Sequence, residues 1–299
     1  VIESVARKST PIAALFRALR PRQWVKNGVL LAGILFTLNH PHPLADWFRV
    51  AGAVVVFCML ASAIYLVNDV ADMEQDRHHP KKRRRPIAAG EVSPAAALAT
   101  AGLLGVCGLA GALALGTAFA VTAVLYVLLT VSYTVWLKHA VLLDVMALSA
   151  CYVLRAAAGA VVISVDISPW LLVCTTLGAL LLGFAKRRNE LVMLEDAGNH
   201  RRILQEYSVE LLDQLITIVT AATLMAYMLY TFFSPTAKER PLLMITIPFV
   251  IYGVFRFLYL MHRHGKGGDP SSELIEDRNL LICALLFGLT AGLVMVLGR

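Results

Sequence analysis

The chain has 299 residues, of which 58% are hydrophobic and only 16% charged, and its mean hydropathy is +0.70; soluble domains average about half apolar and about a quarter charged. That balance excludes a soluble nucleic-acid-binding module, a secreted disulfide scaffold and a disordered chain, and it indicates an integral membrane protein. The net charge of +7 is then explained by membrane topology and by anionic lipid or phosphate partners rather than by nucleic acid.

From the N-terminus, residues 1–22 contain no uncharged core long enough for a cleavable signal, and the missing initiator Met leads us to expect a short leader ahead of Val1. Ile12, Leu15, Phe16 and Leu19 recur at helical spacing with Arg17 and Arg20 on other faces, so residues 1–24 are expected to form an amphipathic segment lying in the membrane interface. Nine spans follow, at 28–38, 50–67, 95–115, 118–137, 141–163, 170–185, 215–233, 242–261 and 280–297, the first being the shortest and opening on Lys26 and Asn27.

With the N-terminus inside, 21 of the 27 Lys and Arg residues fall in inside segments and four in outside ones. The positive-inside bias therefore puts the N-terminus in the cytoplasm and the C-terminus outside. The long polar loops, 68–93 and 186–214, are also inside and can cap a cavity between helices. The expected fold is all-α: a polytopic membrane protein forming one domain over 1–299, with nine transmembrane helices around a central cavity that opens at the cytoplasmic face.

The most specific sequence feature ends the second span: Asn68-Asp69-Val70-Ala71-Asp72-Met73-Glu74-Gln75-Asp76. At about 100° per residue a continued helix brings Asp69, Asp72 and Asp76 within roughly 60° of one another, with Asn68 alongside. Carboxylates crowded at a membrane boundary repel and resist desolvation, which calls for a strong cation. Oxygen-only ligands favour Mg²⁺, a metal commonly shared with substrate phosphates. The following loop reverses sign, with Arg77, Lys81, Lys82, Arg83, Arg84 and Arg85 before Pro86-Ile87-Ala88-Ala89-Gly90. Most of that charge suits an ordinary inside loop, but Arg85 is positioned to offer bidentate donors to a diphosphate held by the neighbouring metal.

These residues carry a resemblance. The NDxxDxxxD form of 68–76 followed by Arg85-Pro86-Ile87-Ala88-Ala89-Gly90 resembles the first signature of the UbiA-type intramembrane prenyltransferase superfamily, whose fold is nine transmembrane helices around a cavity. Within it, Arg20-Pro21-Arg22-Gln23-Trp24-Val25-Lys26-Asn27, Tyr65-Leu66-Val67-Asn68-Asp69, Leu154-Arg155-Ala156-Ala157-Ala158-Gly159 and Lys186-Arg187-Arg188-Asn189-Glu190-Leu191 resemble the decaprenyl-phosphate phosphoribosyltransferase branch. The resemblance covers essentially the whole chain. It implies transfer of 5-phosphoribose from phosphoribosyl diphosphate to a polyprenyl phosphate in the plasma membrane, with release of diphosphate and Mg²⁺ dependence. The product would feed cell-wall arabinan synthesis.

One departure is informative. Superfamily prenyltransferases carry a second acidic DxxxD motif after the sixth span, where this chain has Lys186-Arg187-Arg188-Asn189-Glu190, with Glu195 and Asp196 beyond. A mixed basic and acidic site suits a donor bearing a 5-phosphate, ribose hydroxyls and a diphosphate, whereas a second acidic pair would repel the extra phosphate. The expected assignments are Asn68, Asp69, Asp72 and Asp76 on the metal, with the three aspartates acting catalytically; Arg85, Tyr133, Lys138, Lys186, Arg187 and Glu190 on the donor; and Lys26, Asn27, Arg22 and Arg155 on the lipid phosphate. Tyr133 and Lys138 correspond in the resemblance to the superfamily's Tyr/Lys pair. Arg155, an intramembrane cation, must find a partner, with Asp144 or a bound phosphate as candidates.

Elsewhere the sequence is quiet. Cys58, Cys107, Cys151, Cys174 and Cys283 lie in apolar segments and suit packing, and the histidines form no metal-type cluster. Self-association is left open. Two rival readings remain: a UbiA-type prenyltransferase acting on an aromatic or other small acceptor, which lacks its second DxxxD motif here, and a lipid or ion transporter, against which stands a one-sided carboxylate cluster where alternating access favours a midplane site.

Overall fold

The computed structural model describes residues 10–38, 40–78, 82–194, 202–264, 267–268, 273–274 and 276–297. Every regular element among them is helical. Helix α1 (Pro11–Ala18) opens with the Thr10 hydroxyl accepting from Ala13 N at 3.4 Å and with Pro11 in the first turn. It buries Ala14 and Ala18 against the protein and leaves Ile12 and Phe16 exposed, the disposition an interfacial helix requires.

A 3₁₀ helix (Pro21–Leu31) and the single turn α2 (Ala32–Leu35) come next, followed by α3 (Leu44–Ala71), α4 (Met73–His78), α5 (Pro94–Leu115), α6 (Thr117–Val135), α7 (Leu143–Val162), α8 (Pro169–Leu194), α9 (Val209–Phe233), α10 (Pro235–Glu239), α11 (Ile247–His264) and α12 (Arg278–Leu297). Among the described residues, eight helical stretches are long and apolar enough to cross a membrane. The chain is an all-helical, multi-pass membrane protein.

The first expected span is where sequence and structure part. Residues 28–38 do not form an α-helix of spanning length but the end of the 3₁₀ helix, α2 and a turn. The backbone is drawn tightly onto α7: a Cβ on Gly159 would lie 2.0 Å from the Leu30 carbonyl oxygen, and one on Gly33 would lie 2.8 Å from Ala160 N. Only glycine permits that approach. A 3₁₀ helix rises about 2.0 Å per residue, so the 11 residues of Pro21–Leu31 cover about 22 Å.

In lipid, helices associate through close van der Waals packing between small residues rather than by expelling water. The α3–α5 pair follows that rule: Gly52 lies beside Leu115, Val56 beside Gly111 and Leu60 beside Gly108. Phe57, Phe119 and Tyr126 fill the space between α3 and α6, with Phe57 5.9 Å from Phe119 and 5.0 Å from Tyr126 between ring centroids. The opposite helix faces carry exposed Leu103, Val106, Leu285 and Leu289, which suit contact with acyl chains.

Two segments expected as loops are partly helical. α8 continues to Leu194, so 186–190 is a turn of helix and not the start of a loop; Lys, Arg and Glu are good helix formers, and the pattern continues past the last apolar turn. Likewise α3 reaches Ala71, breaks at Asp72 and resumes as α4.

Candidate active site

The C-terminal ends of α3, α6 and α8 and the N-terminal ends of α7 and α9 meet at one end of the bundle, and Asp69, Asp76, Arg85, Tyr133, Arg187 and Glu190, all singled out from sequence, pair there. Two ionic clusters form.

The first is built by α3, α4 and the turn at 85–92. Asp69 and Asp76 are 3% and 2% exposed. They face each other because the helix resumes after Asp72, with Asp76 N donating to the Asp72 carbonyl at 2.9 Å. Arg85 is aimed at them by the turn behind it. Pro86, Ile87 and Ala88 are buried, Ile87 against Leu66, Val92 and Ala97; Glu91 N and Val92 N donate to the Pro86 carbonyl; and Gly90 takes φ +75 to close the turn. One nitrogen of Arg85, Nη1, then bridges both carboxylates, 3.1 Å from Asp69 Oδ1 and 2.5 Å from Asp76 Oδ2. Arg20 reaches Asp69 Oδ1 from the hinge between α1 and the 3₁₀ helix and stacks over the Tyr65 ring at 4.9 Å. Lys82 Nζ lies 3.9 Å from Asp76 Oδ1.

Asp72 sits half-buried at the helix break and does not join the pair: among the described residues no three carboxylate, His or Cys side chains converge as a metal-holding group. Asn68 Nδ2 donates to Thr134 Oγ1 at 3.3 Å, tying α3 to α6. The donors nevertheless fit a hard divalent cation. They are all oxygen, and a positive nitrogen already bridges the two buried carboxylates where such a cation would be held; water or a diphosphate would complete the shell.

The second cluster centres on Arg187, wholly buried although it is charged. Nε donates to Asp144 Oδ2 at 2.5 Å, Nη1 to Glu190 and Nη2 to the Tyr133 hydroxyl at 3.0 Å. Asp144, also 0% exposed, accepts at Oδ1 from the Tyr207 hydroxyl at 2.9 Å, and that hydroxyl in turn accepts from Leu142 N at 2.7 Å. Leu142 is held at φ +66, an unusual geometry for leucine that turns its N–H toward Tyr207. Burial pushes the Tyr207 hydroxyl up to about 12; the Asp144 charge adds to the rise, and the Leu142 N–H opposes it. Next door, Arg188 makes a two-point pair with Asp213 at 2.5 and 3.3 Å.

Asp144 is therefore the partner of Arg187 and not of Arg155, because Arg155 lies three turns, about 16 Å, further along α7. Arg155, 5% exposed, uses neutral groups: Nε to Asn27 Oδ1 at 2.9 Å, Nη1 to the Cys151 carbonyl at 3.1 Å and Nη2 to the Tyr126 hydroxyl at 2.8 Å, with its guanidinium 4.6 Å over the Tyr126 ring. It joins the 3₁₀ helix, α6 and α7. Of the residues expected on a lipid phosphate, Asn27 is buried with Arg155, Lys26 is half-buried and Arg22 is exposed. Lys138 and Lys186 are half-buried at the same end of the bundle. Lys81, Glu195 and Asp196 lie outside the described residues. Arg256 pairs with Asp277, which also caps α12 by accepting from Leu280 N.

The sequence marks Arg20 only as a polar-face residue of the interfacial segment and as part of a motif, and does not single out Tyr207 or Asp213. Arg20 was findable as the first cation of that motif. Tyr207 gave no signal, since nothing local marks a tyrosine that will meet a residue 63 positions away.

With this geometry in view, the sequence pattern of the UbiA prenyltransferase family matches residues 28–275. The chain belongs to that family. It is 35% identical over 294 residues to a protein named decaprenyl-phosphate phosphoribosyltransferase from Mycobacterium tuberculosis, covering 96% of each chain. A protein of the same name from Corynebacterium glutamicum is 35% identical over 281 residues, covering 91% of this chain and 83% of the relative. Among solved structures, a UbiA homolog from Archaeoglobus fulgidus bound to GPP and Mg²⁺ superposes with a TM-score of 0.71 at 15% identity, covering 94% of this chain and 99% of that one. At that identity the likeness establishes the shared fold.

Proposed function

We propose that this family member transfers 5-phosphoribose from phosphoribosyl diphosphate to a polyprenyl phosphate of the decaprenyl type, releasing diphosphate. The observation that carries the reading is the full-length identity to relatives named for that reaction, and the mixed charge of 186–190 agrees with it. Asp69, Asp72 and Asp76, with Asn68, would hold Mg²⁺, which would neutralise charge on the departing diphosphate. Arg85, Lys138, Lys186 and Tyr133 orient the donor; Arg187, expected there from sequence, is wholly buried and instead, with Glu190, keeps that end of α8 in register with α6 and α7. Lys26 and Arg22 meet the acceptor phosphate, while Arg155 acts through Asn27.

In the reaction a phosphate oxygen of the lipid attacks ribose C1 from the face opposite the diphosphate. A new C1–O bond forms as the old one breaks, and the diphosphate leaves with the electron pair. The acceptor is already an anion at neutral pH, so no general base is needed. The single-domain chain has its N-terminus and active site on the cytoplasmic side of the plasma membrane and its C-terminus outside; the long basic loops support this orientation. The product is a lipid-linked pentose phosphate suited to cell-wall arabinan assembly. The alternative, prenyl transfer to an aromatic acceptor, would share the departure of a diphosphate but lacks a second acidic pair at 186–190.

The test uses detergent-purified protein with Mg²⁺, polyprenyl phosphate and labelled phosphoribosyl diphosphate. EDTA-sensitive label entering the organic phase is expected. No incorporation, together with transfer from a prenyl diphosphate, would replace this reading with the alternative.

A further inference from the structure

We infer that Arg20 and Arg85 are resident counter-ions of the Asp69–Asp76 pair, displaced when metal and diphosphate arrive together, and that Arg20 then turns from carboxylate to phosphate. The inference deepens the proposed function and rests on its diphosphate donor, but not on which diphosphate.

Four observations carry it. Two carboxylates as buried as Asp69 and Asp76 cannot stay ionised unpaired, and two guanidinium groups match their charge. Those guanidinium groups are themselves about a quarter exposed, at 26% each, unlike the sealed Arg187. Arg85 Nη1 sits between the two carboxylates, so a metal bridging them must take its place. Arg20 has a pivot and a second support: its backbone is left-handed, φ 57 and ψ 58, at the junction of α1 with the 3₁₀ helix, and its guanidinium already lies over Tyr65.

Charge balance sets the order of events. A divalent cation entering alone would add two positive charges to a largely buried cluster in which Arg20, Arg85 and Lys82 already offset the two carboxylates. A diphosphate entering alone would face two carboxylates. Entering together, each compensates the other, and the released guanidinium groups gain phosphate oxygens, which Arg binds bidentately. The site therefore discriminates against free metal and takes it up with the donor.

The experiment measures Mn²⁺ retained by the full-length protein in equilibrium dialysis, with and without inorganic diphosphate. Wild type should bind Mn²⁺ weakly alone and at least about 10-fold more tightly with diphosphate, after correction for Mn²⁺ held by free diphosphate. Arg20→Gln should bind Mn²⁺ alone about 10-fold more tightly than wild type and lose most of the diphosphate enhancement. It should also unfold at a lower temperature without metal and recover on adding Mn²⁺. Arg20→Lys, which keeps the charge, should resemble wild type in Mn²⁺ binding without diphosphate. Unchanged or weaker Mn²⁺ binding by Arg20→Gln would overturn the inference, because an Arg with a purely structural role lowers stability without raising metal affinity. If Arg20→Gln does not fold, wild type decides: Mn²⁺ retention indifferent to diphosphate overturns it. Absence of phosphoribosyl transfer by wild type, with these Mn²⁺ results intact, would sink the donor assignment alone.

Discussion

Around Arg187, two carboxylates and a tyrosine hydroxyl engage every guanidinium nitrogen, and neither Arg187 nor Asp144 has measurable exposure. Around Asp69 and Asp76 the residue types are the same, but there the carboxylates are the buried members and the guanidinium groups are partly open. The difference lies in which partner can leave. In the first arrangement both ions are enclosed by α6, α7 and α8, and separating them strands a charge. In the second, a cation at the rim can be exchanged for another cation. Similar ion pairs form a closed clasp in one place and, on the proposed reading, an exchangeable ligand site in the other, according to which side of the pair the fold encloses.

The largest expected effect tests the clasp. Asp144→Ala leaves Arg187 buried against one remaining carboxylate and should cost about 3–5 kcal/mol of stability, read as a lowered unfolding temperature in detergent. Combining it with Arg187→Met should recover most of that loss, since two apolar residues replace two ions. The corresponding double change at the exchangeable cluster, Asp69→Ala with Arg85→Met, should restore stability without restoring turnover. If both double variants behave alike in both assays, the two clusters do not differ in kind.

Next in size is Asp72→Asn, expected to lower transfer at least about 10²-fold, or ~2.7 kcal/mol of transition-state stabilisation. The unfolding temperature should stay unchanged, because Asp72 is half-buried at a helix break and does not share the Asp69–Asp76 pair. Near-normal turnover would remove it from the metal set.

Tyr207→Phe is smaller, at about 1–3 kcal/mol, since it leaves Leu142 N and one Asp144 oxygen short of a partner. It also carries a pH signature. With the Tyr207 hydroxyl pushed up to about 12, from about 10 in an unfolded chain, the folded protein holds that proton more firmly. The associated stability is complete below about pH 10 and is lost as pH rises through about 12. Thermal unfolding across that alkaline range should fall more steeply for wild type than for the Phe variant, and parallel curves would count against the buried hydroxyl.

The smallest effect belongs to Glu91→Gln, which breaks the exposed pair with Arg17. A surface pair of this kind is worth roughly 0–1 kcal/mol. A larger loss would mean that docking of α1, and with it the Arg20 hinge, depends on that contact.

Much of the first cluster is legible in the sequence. Asp69 and Asp76 are seven residues apart, and two helical turns bring them to one face; Arg85 follows within the same loop. Local periodicity was enough. The placement of Asp72 was not legible, because an unbroken helix was expected where the chain pauses between α3 and α4. The partners of Arg155 are hidden for a related reason. Asp144, the carboxylate nearest along the same helix, pairs elsewhere, whereas Asn27 and Tyr126 arrive from segments 128 and 29 residues away.

The sequence by itself determined that this is a multi-pass helical membrane protein with an acidic motif followed by a basic one, and which family that motif resembles. Those properties follow from composition, run length and spacing along one chain. Only the tertiary structure decided which charges are enclosed and which are partly open, that the stretch before α3 runs as a 3₁₀ helix against Gly159, and that Tyr207 supports Asp144. These depend on surfaces meeting from distant parts of the chain, where burial sets the strength of each electrostatic contact and no local pattern records it.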